Sequence, residues 1–244
     1  TAPQMLGNLT GTAGDNSWYV SGVTVQATNT DSTSAIASEK YRVDGGAWQT
    51  GMSIPVSADG LHTVDFLAID NAGNQKTISQ FFKIDQTLPQ ITLTPTGDSG
   101  SNGWYVSNVS LEMLSNDTTS GVSSSEYDLD GTSWKSLVNS ITLTDGRRSI
   151  LARSKDKAGN STTASILIKV DTVPPVQALV LDGVTGSNDW YVSDVLADVS
   201  TSDVTSGNVI TTITDNGGDA SYDPITLTEG IHTLHYTAVD EAGN

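Results

Sequence analysis

The sequence predicts an all-β fold class, as a row of three similar β-sandwich domains. One observation is a repeat: Trp-Tyr-Val-Ser begins at Trp18, Trp104 and Trp190, so that successive copies lie 86 residues apart. The other is that apolar and polar residues alternate over short segments, whereas helical spacing is nearly absent. A repeat of this length exceeds that of a solenoid unit and is long enough for a domain with its own core.

Two further motifs set the domain boundaries. Thr-x-Pro opens each unit, and Asp-x-Ala-Gly-Asn stands near its end. The predicted domains are residues 1–86, 87–171 and 172–244, called units one, two and three below. An alternating segment follows the second motif in units one and two, whereas the third copy of that motif ends at Asn244. We therefore expect the third sandwich to lack its final strand.

Each unit contains short alternating segments separated by turns that contain glycine. Asp44-Gly45 and Asp130-Gly131 are signals for hairpins with positive φ. The predicted strands include Ser38–Asp44, Ser53–Val56, Leu61–Asp70, Glu126–Asp130, Ser140–Thr144, Arg147–Asp156, Pro224–Thr228 and Ile231–Asp240. Roughly six or seven short strands with turns every 8 to 12 residues are typical of an immunoglobulin-like (Ig-like) sandwich.

The order of motifs over the whole chain resembles that of bacterial Ig-like repeats. Trp-Tyr-Val-Ser is followed by Tyr-x-x-Asp-Gly-x-x-Trp, which spans Tyr127 to Trp134 in unit two, then by Asp-Gly-x-His, Asp-x-Ala-Gly-Asn and Asp-x-Thr-x-Pro. Unit three departs from the pattern, since residues 210–214 include no Tyr or Trp. The resemblance implies a segment of a large secreted or cell-surface protein of the adhesin or stalk type.

The composition is strongly acidic, with 28 acidic and 11 basic residues and a formal charge of -17. Such a field repels nucleic acid and anionic membranes but is compatible with divalent cations and basic protein surfaces. There are no cysteines, so each unit relies on its core. No run of 18 apolar residues could form a transmembrane segment, and we expect any export signal or anchor to lie outside these residues. The composition suits an extracellular, secreted bacterial protein.

Histidine is too scarce to predict an enzyme. Only His62, His232 and His235 are present, and the position shared by His62 and His232 is Arg148 in unit two. Arginine cannot replace histidine as a general base, so we expect these side chains to pack over a turn. No phosphate-binding loop and no zinc spacing is present, and the chain is predicted to have no catalytic residues.

The repeated carboxylates are the candidate metal ligands. On the strand before each Asp-x-Ala-Gly-Asn motif, residues two apart share a face, so the Asp falls on the core side and needs a partner. One alternative is local, in which the carboxylate accepts N–H groups of its own turn. The other is calcium, held where acids of a linker and of two loops meet, as in the calcium-stiffened adhesins that these repeats resemble. The predicted ligand sets are Asp85, Asp117 and Asp156 at the first junction, Asp171, Asp203 and Asp240 at the second, and a half-site of Asp31 and Asp70.

The Trp-Tyr pairs are the candidate ligand-binding aromatics. Adjacent strand residues point to opposite faces, so one ring of each pair should enter the core while the other lies outside or against the next domain. Two roles are therefore considered for these rings: packing within the protein and stacking on a sugar. The pairs are Trp18 and Tyr19, Trp104 and Tyr105, and Trp190 and Tyr191.

These observations favour a mechanical function. Each unit would add roughly 35 to 40 Å to an elongated rod, because the final strand of one unit leads through Asp-x-Thr-x-Pro into the next. The rod would contact neighbouring repeats of the same or an adjacent chain. Alternatives are an adhesive module that binds glycan or a host or cell-surface protein through its aromatics, and a filament subunit completed by a donated strand.

Overall fold

The computed structural model describes all 244 residues as β-strands and connecting loops. The strands of unit one are β1 Gln4–Thr10, β2 Trp18–Tyr19, β3 Val23–Thr30, β4 Ile36–Val43, β5 Gln49–Thr50, β6 Ser53–Val56, β7 Gly60–Asp70 and β8 Gln75–Ile84. They form two sheets, of order β1-β3-β6 and β2-β8-β7-β4-β5. Their pairing is antiparallel except for β2, which runs parallel to β8.

Unit two repeats this architecture. Its strands are β9 Gln90–Thr96, β10 Val109–Asn116, β11 Val122–Leu129, β12 Trp134–Ser136, β13 Ser140–Leu143, β14 Gly146–Asp156 and β15 Ser161–Val170. The sheets are β13-β10-β9 and β12-β11-β14-β15. A single bridge from Tyr105 to Val170 takes the place of the short parallel strand β2.

Unit three has a smaller second sheet. Its strands are β16 Val176–Asp182, β17 Val195–Ser202, β18 Ile210–Asp215, β19 Ser221–Tyr222, β20 Ile225–Leu227 and β21 Leu234–Val239. They form sheets β16-β17-β20 and β19-β18-β21. The strand β21 thus has one neighbour, where β7 and β14 have two. No sheet mixes strands of two units, and residues 85–89 and 171–175 lie outside the strands; the domain boundaries themselves stay a prediction.

The all-β sandwich class is confirmed, and most predicted strands agree with the structure to within two residues. The largest exceptions are the early start of β11 at Val122 and the late start of β21 at Leu234. In unit one, Gly60–Thr63 belong to β7 because they pair with β8. Residues 231–233 have no such neighbour, so the prediction of a strand from Ile231 is wrong there.

Each core lies between the two sheets, on the alternate residues of the long strands. In unit one Val23 and Val25 of β3 face Val64 and Phe66 of β7, and all four are buried. The cores of units one and two each contain nine buried apolar residues, whereas that of unit three contains five. The core face of β7 continues to Asp70, which alternation therefore places on the buried side.

Candidate metal sites at the two domain junctions

Three carboxylates meet at each junction between units. One oxygen from each of the three lies within 4.8 Å of the others, at both junctions. The two groups are Asp85, Asp117 and Asp156, and Asp171, Asp203 and Asp240. Each group joins one linker acid to two acids of the unit that follows.

The third acid of the first group closes the loop after β14. Ile150, Ala152 and Ser154 occupy the buried face of that strand, and Asp156 continues it. Its Oδ1 accepts the N–H groups of Gly159 at 2.7 Å and Asn160 at 2.9 Å. These bonds are the local role expected for this carboxylate, and its Oδ2 also accepts the Asn160 side-chain amide at 2.8 Å.

The second acid, Asp117, organises the loop between β10 and β11. Its Oδ1 accepts N–H groups from Thr119, Ser120 and Gly121, the last at 2.7 Å. Its Oδ2 is buried and has no hydrogen-bond partner. A buried carboxylate oxygen without a donor is costly, and a cation bound in the cluster would satisfy it.

The linker acid, Asp85, follows β8 and is fully buried. Its Oδ1 accepts the Thr87 N–H at 3.1 Å, and its Oδ2 accepts the Ser120 N–H at 3.0 Å. Burial raises the pKa of Asp85, and the carboxylates of Asp117 and Asp156 act in the same direction. Three acids this close repel one another, and a divalent cation would remove that repulsion.

The second junction repeats these contacts. Asp171 is fully buried and accepts the Ser206 N–H at 3.0 Å, and Asp240 accepts the N–H groups of its own turn at 2.7 and 2.9 Å. Burial of Asp203 acts to raise its pKa, but the N–H groups of Gly207, Ser206 and Thr205 outweigh it and hold the pKa below the ordinary value.

Unit one contains only two acids of this type. Asp31 Oδ1 accepts the N–H groups of Thr33 and Ser34, which repeats the loop geometry of Asp117. The Ser34 N–H is the main cause that lowers the pKa of Asp31, and the nearby Asp70 opposes it. Asp70 binds its own turn as Asp156 does. No linker acid lies beside this pair.

Several junction residues escaped the sequence analysis. The Asn160 side-chain amide donates to the Asp85 carbonyl at 3.0 Å, and that of Asn244 donates to the Asp171 carbonyl at 3.0 Å. The turn acid Asp59 accepts the N–H of Gln86 and the hydroxyl of Thr87, which fixes the linker from its other side. Only the repetition of Asn in every Asp-x-Ala-Gly-Asn motif signalled one of these roles.

A second contact at each junction, called the loop clamp, joins residues 14–16 to 157–158 and residues 100–102 to 241–242. The Asp15 N–H donates to the Ala158 carbonyl at 2.7 Å, and the Asn16 amide donates to the Lys157 carbonyl at 2.9 Å. At the other junction the equivalent bonds are 2.7 and 2.9 Å. Each glycine that begins the clamp lies against the partner carbonyl, where a side chain would overlap it.

The Trp-Tyr pairs pack in units one and two. The tyrosines pack against the cores, and Trp18 and Trp104 are buried, Trp104 at only 1% exposure. Lys83 lies over the ring of Trp18, and Lys169 and Arg147 lie over that of Trp104. These two rings are thus enclosed by the protein, and stacking on a sugar stays a prediction. In unit three Trp190 is 57% exposed.

The two turn histidines each bridge two acceptors over a hairpin. His62 Nδ1 lies 2.9 Å from Asp44 Oδ2, and its Nε2 lies 2.9 Å from the Ala58 carbonyl oxygen. His232 makes the same pair of contacts with Asp215 and Thr228, which raise its pKa in that order. Arg148 of unit two donates to Asp130, the equivalent acid, and to the Asp145 carbonyl, one residue further along the turn. A packing role over a turn therefore accounts for this position.

The donor set of the clusters fits calcium. Calcium binds oxygen at 2.3–2.6 Å, so two ligands on opposite sides of one ion are about 4.8 Å apart. Both groups meet that limit and offer only carboxylates, with no histidine or cysteine to favour zinc. Asp85, Asp117 and Asp156 would hold the ion of the first junction, and Asp171, Asp203 and Asp240 that of the second.

Residues 12–86 match the model of a family described as Bacterial Ig-like domain. This match confirms the resemblance that the motifs indicated, for the unit that carries it. No curated protein matches the chain. The structure contains no helix long and apolar enough to span a membrane.

Several solved structures are similar to the chain. One is described as a tetra-tandem repeat in the extending region of a large adhesion protein, at 19% identity and a TM-score of 0.37, covering 99% of this chain and 72% of that one. A 1.5-MDa bacterial ice-binding adhesin gives 14% identity and a TM-score of 0.30, covering 100% and 85%. Fibronectin(III)-like modules of Clostridium thermocellum CbhA give 13% and 0.32, covering 68% and 95%.

Proposed function

We propose that this chain is an extension segment of a bacterial extracellular surface protein or fibre, in which calcium at each junction stiffens a rod of Ig-like repeats. The observation that carries the proposal is the repeated carboxylate group, since the same three acids meet in the same way at both junctions. The match of unit one to a bacterial Ig-like domain supports an extracellular location. No catalytic role is proposed for any residue.

The arrangement of the ligands explains how a cation would stiffen the junction. The linker acid belongs to the unit before, whereas the other two acids belong to two loops of the unit after. One ion that binds all three therefore resists bending of the linker. The loop clamp lies beside it and restrains the same pair of units through backbone hydrogen bonds. Together the two contacts oppose rotation about the linker as well as bending.

Calcium removal tests the proposal. Small-angle X-ray scattering and calorimetric melting of the 244-residue protein should be compared in calcium and in chelator. We expect chelator to reduce the maximum dimension and to lower the melting temperature, since an ion at a hundred times its Kd stabilises the bound form by about 2.7 kcal/mol. Equal dimensions and equal melting in both buffers would contradict the proposal.

Matched variants separate calcium from general acidity. Asp85→Asn removes a ligand charge at the first junction and Asp171→Asn at the second, and each keeps an oxygen that can accept the same N–H group. Asp128→Asn removes one charge from unit two without touching either group. We expect the two linker variants each to lose part of the calcium response, and Asp128→Asn to respond like the unsubstituted protein.

We propose as a second function that the open face of unit three receives an extended segment as its final strand, which in a filament would come from an adjacent chain. A groove of about 830 Å³ runs between Trp190, Leu227 and Leu234. In units one and two the corresponding surface is covered by β8 and β15, which bury Ile84 and Val170. The occupant would be an extended segment with the alternating apolar residues of β15 and a lysine at the position of Lys169.

A peptide with the sequence of residues 161–171 tests strand acceptance. Added to the protein, it should protect Trp190 from acrylamide quenching and shift its emission to shorter wavelength, since the ring would become buried. The same peptide with Ile166 and Ile168 changed to aspartate is the control. Equal quenching with both peptides, or a shift that persists in Trp190→Phe, would contradict this function.

Binding of a glycan or a host-surface protein stays a prediction. The buried rings of Trp18 and Trp104 do not support it.

A further inference from the structure

The two proposed calcium sites have the same ligands but different charged neighbours. We infer that the second site binds calcium more tightly than the first, and that residues 157 and 241 set the difference. This rests on the proposed function, and the experiment below separates a failure of one from a failure of the other.

Residues 157 and 241 are equivalent, each following the third acid of its group. Lys157 extends over the loop of the second acid, where its ammonium lies 3.4 Å from the position that a β-carbon would take at Gly121. The Gly121 N–H donates to Asp117. A positive charge therefore lies beside the first site.

In the second junction the same position carries the opposite charge. Glu241 Oε2 accepts the side-chain amide of Asn208 at 3.2 Å. Asn208 follows Gly207, whose N–H donates to Asp203 at 2.8 Å. Glu241 thus lies over the loop of the second acid as Lys157 does, but brings a carboxylate to it.

The residue before the third acid makes a smaller difference. Lys155 precedes Asp156 and forms an ion pair with Asp15 Oδ2 at 2.7 Å, so the two charges largely cancel at a distance. Val239 and Ser101 take these positions at the second junction. Counting these neighbours, the first site has two ammonium groups and one carboxylate around its ligands, whereas the second has only the Glu241 carboxylate. The two surroundings differ by two charges.

Two charges within one Debye length, about 8 Å, of a divalent ion change its binding by roughly tenfold at physiological salt, once water and ions have screened most of the interaction. The wider field acts in the same direction, because residues 172–244 contain 11 acidic residues and no basic one. We therefore expect the second site to fill first as calcium rises.

Isothermal titration with calcium chloride on single-site variants measures the difference. Asp203→Asn leaves the first site as the only complete one, and Asp117→Asn leaves the second. Each asparagine keeps the Oδ1 that accepts the loop N–H groups, and near-ultraviolet circular dichroism checks the fold. We expect the Kd of Asp117→Asn to be about tenfold lower than that of Asp203→Asn, and the gap to narrow in high salt.

Reciprocal charge changes assign the effect to the two residues. Lys157→Glu should tighten the first site, and Glu241→Lys should weaken the second, each by about tenfold. Lys135→Glu makes the same change of net charge on an exposed strand outside both carboxylate groups and should leave both sites unchanged. These changes can also be read in the two-step titration of the protein with both sites intact, should a single-site variant fail to fold.

The outcomes are distinct. Two sites with Kd values within twofold of each other, or with no response to Lys157→Glu and Glu241→Lys, would overturn this inference and leave the proposed function standing. A response to Lys135→Glu as large as that to Lys157→Glu would overturn the assignment to residue 157. No calcium binding to the unsubstituted protein would overturn both the inference and the proposed function.

Discussion

The same tryptophan occurs three times in this chain, and its surroundings decide what it contributes. Trp104 is 1% exposed and lies beneath Lys169 and Arg147, while Trp190 is 57% exposed. Both belong to one Trp-Tyr-Val-Ser motif. Sequence identity therefore fixes the turn that contains the residue, whereas the neighbouring strand fixes its burial.

This difference predicts unequal costs of truncation. Trp104→Ala should destabilise unit two by about 3–5 kcal/mol, since it empties a buried site. Trp190→Ala should cost unit three about 1 kcal/mol or less, because half of that ring is already in water. Hydrogen exchange of β14 and of β18 measures the two units separately. Equal losses of protection in the two units would show that exposure does not decide the cost.

The turn histidine of unit three predicts a dependence on pH. The Asp215 carboxylate is the main cause that raises the pKa of His232 in the folded state. A raised pKa stabilises the fold at pH values below the ordinary histidine pKa of 6.5, and this stabilisation is lost as the pH rises through the higher folded value. The melting temperature of unit three should therefore fall as the pH rises from mildly acidic to mildly basic values.

Unit two supplies the matched control for that dependence. His232→Arg places at this position the cation that Arg148 provides, and arginine stays charged throughout the range. We expect the melting temperature of this variant to stay constant over the same pH range. His235→Gln, on the exposed side of β21, should keep it. A fall that persists in His232→Arg would assign the pH dependence to another group.

The candidate metal site shows which of its features can be predicted from the sequence alone. Strand alternation predicts that Asp156 is buried, because Ile150, Ala152 and Ser154 precede it at steps of two. The N–H of Ser120 and the amide of Asn160 could not be predicted, since a backbone donor has no sequence signal and an amide in a turn has many partners. Which oxygen of Asp117 lacks a donor is likewise a matter of loop geometry.

At the scale of elements, the loop clamp depends on close approach of two backbones. Gly100 lies against the Ala242 carbonyl of the next unit, whereas the equivalent Gly186 contacts only residues of its own unit, such as Val192. A side chain at Gly100 thus meets the carbonyl of another unit as well as Val106. A side chain at Gly186 instead meets Val192 and the Trp190 carbonyl of its own turn. Substituting alanine at each of these two glycines therefore distinguishes an effect on the junction from an effect on the turn alone.

We predict that Gly100→Ala weakens the second junction by about 1–3 kcal/mol, since the clamp must open to admit the methyl group. Gly186→Ala should strain only its own turn. Distances between spin labels on units two and three, measured by pulsed electron paramagnetic resonance, should broaden for Gly100→Ala and stay narrow for Gly186→Ala. Equally narrow distributions in both variants would show that the clamp does not restrain the junction.

Strand prediction worked where periodicity and a turn agree. The hairpin of unit one turns through Asp44 and Gly45, with φ of 48° and 72°, as the Asp-Gly signal predicts. The prediction of where β21 begins was wrong because the end of a strand depends on the neighbouring strand in the sheet as well as on its own residues. The bonds of β7 at Gly60–Thr63 come from β8, which lies beyond the turn.

At the scale of the molecule, unit two occupies a special position. It provides Asp117 and Asp156 to the first proposed site and Asp171 to the second, whereas unit one gives only a linker acid and unit three gives two loop acids. Two ions would therefore be linked to the folding of one domain, and one ion to each of the others.

Calcium should accordingly stabilise unit two most. With both sites at a hundred times their Kd, the expected gain is about 5 kcal/mol for unit two and about half of that for each neighbour. Hydrogen exchange in calcium and in chelator compares β14 with β7 and β18 directly. The largest gain in protection outside unit two would contradict this distribution of ligands.

The two loop clamps use equivalent hydrogen bonds, and the two carboxylate groups consist of equivalent acids. Each junction therefore holds its two units through equivalent contacts, and repeated contacts favour a repeated orientation. An array of units joined in one repeated orientation would follow a helical path. The number of repeats in that array would set both how far its tip extends and the direction in which it faces.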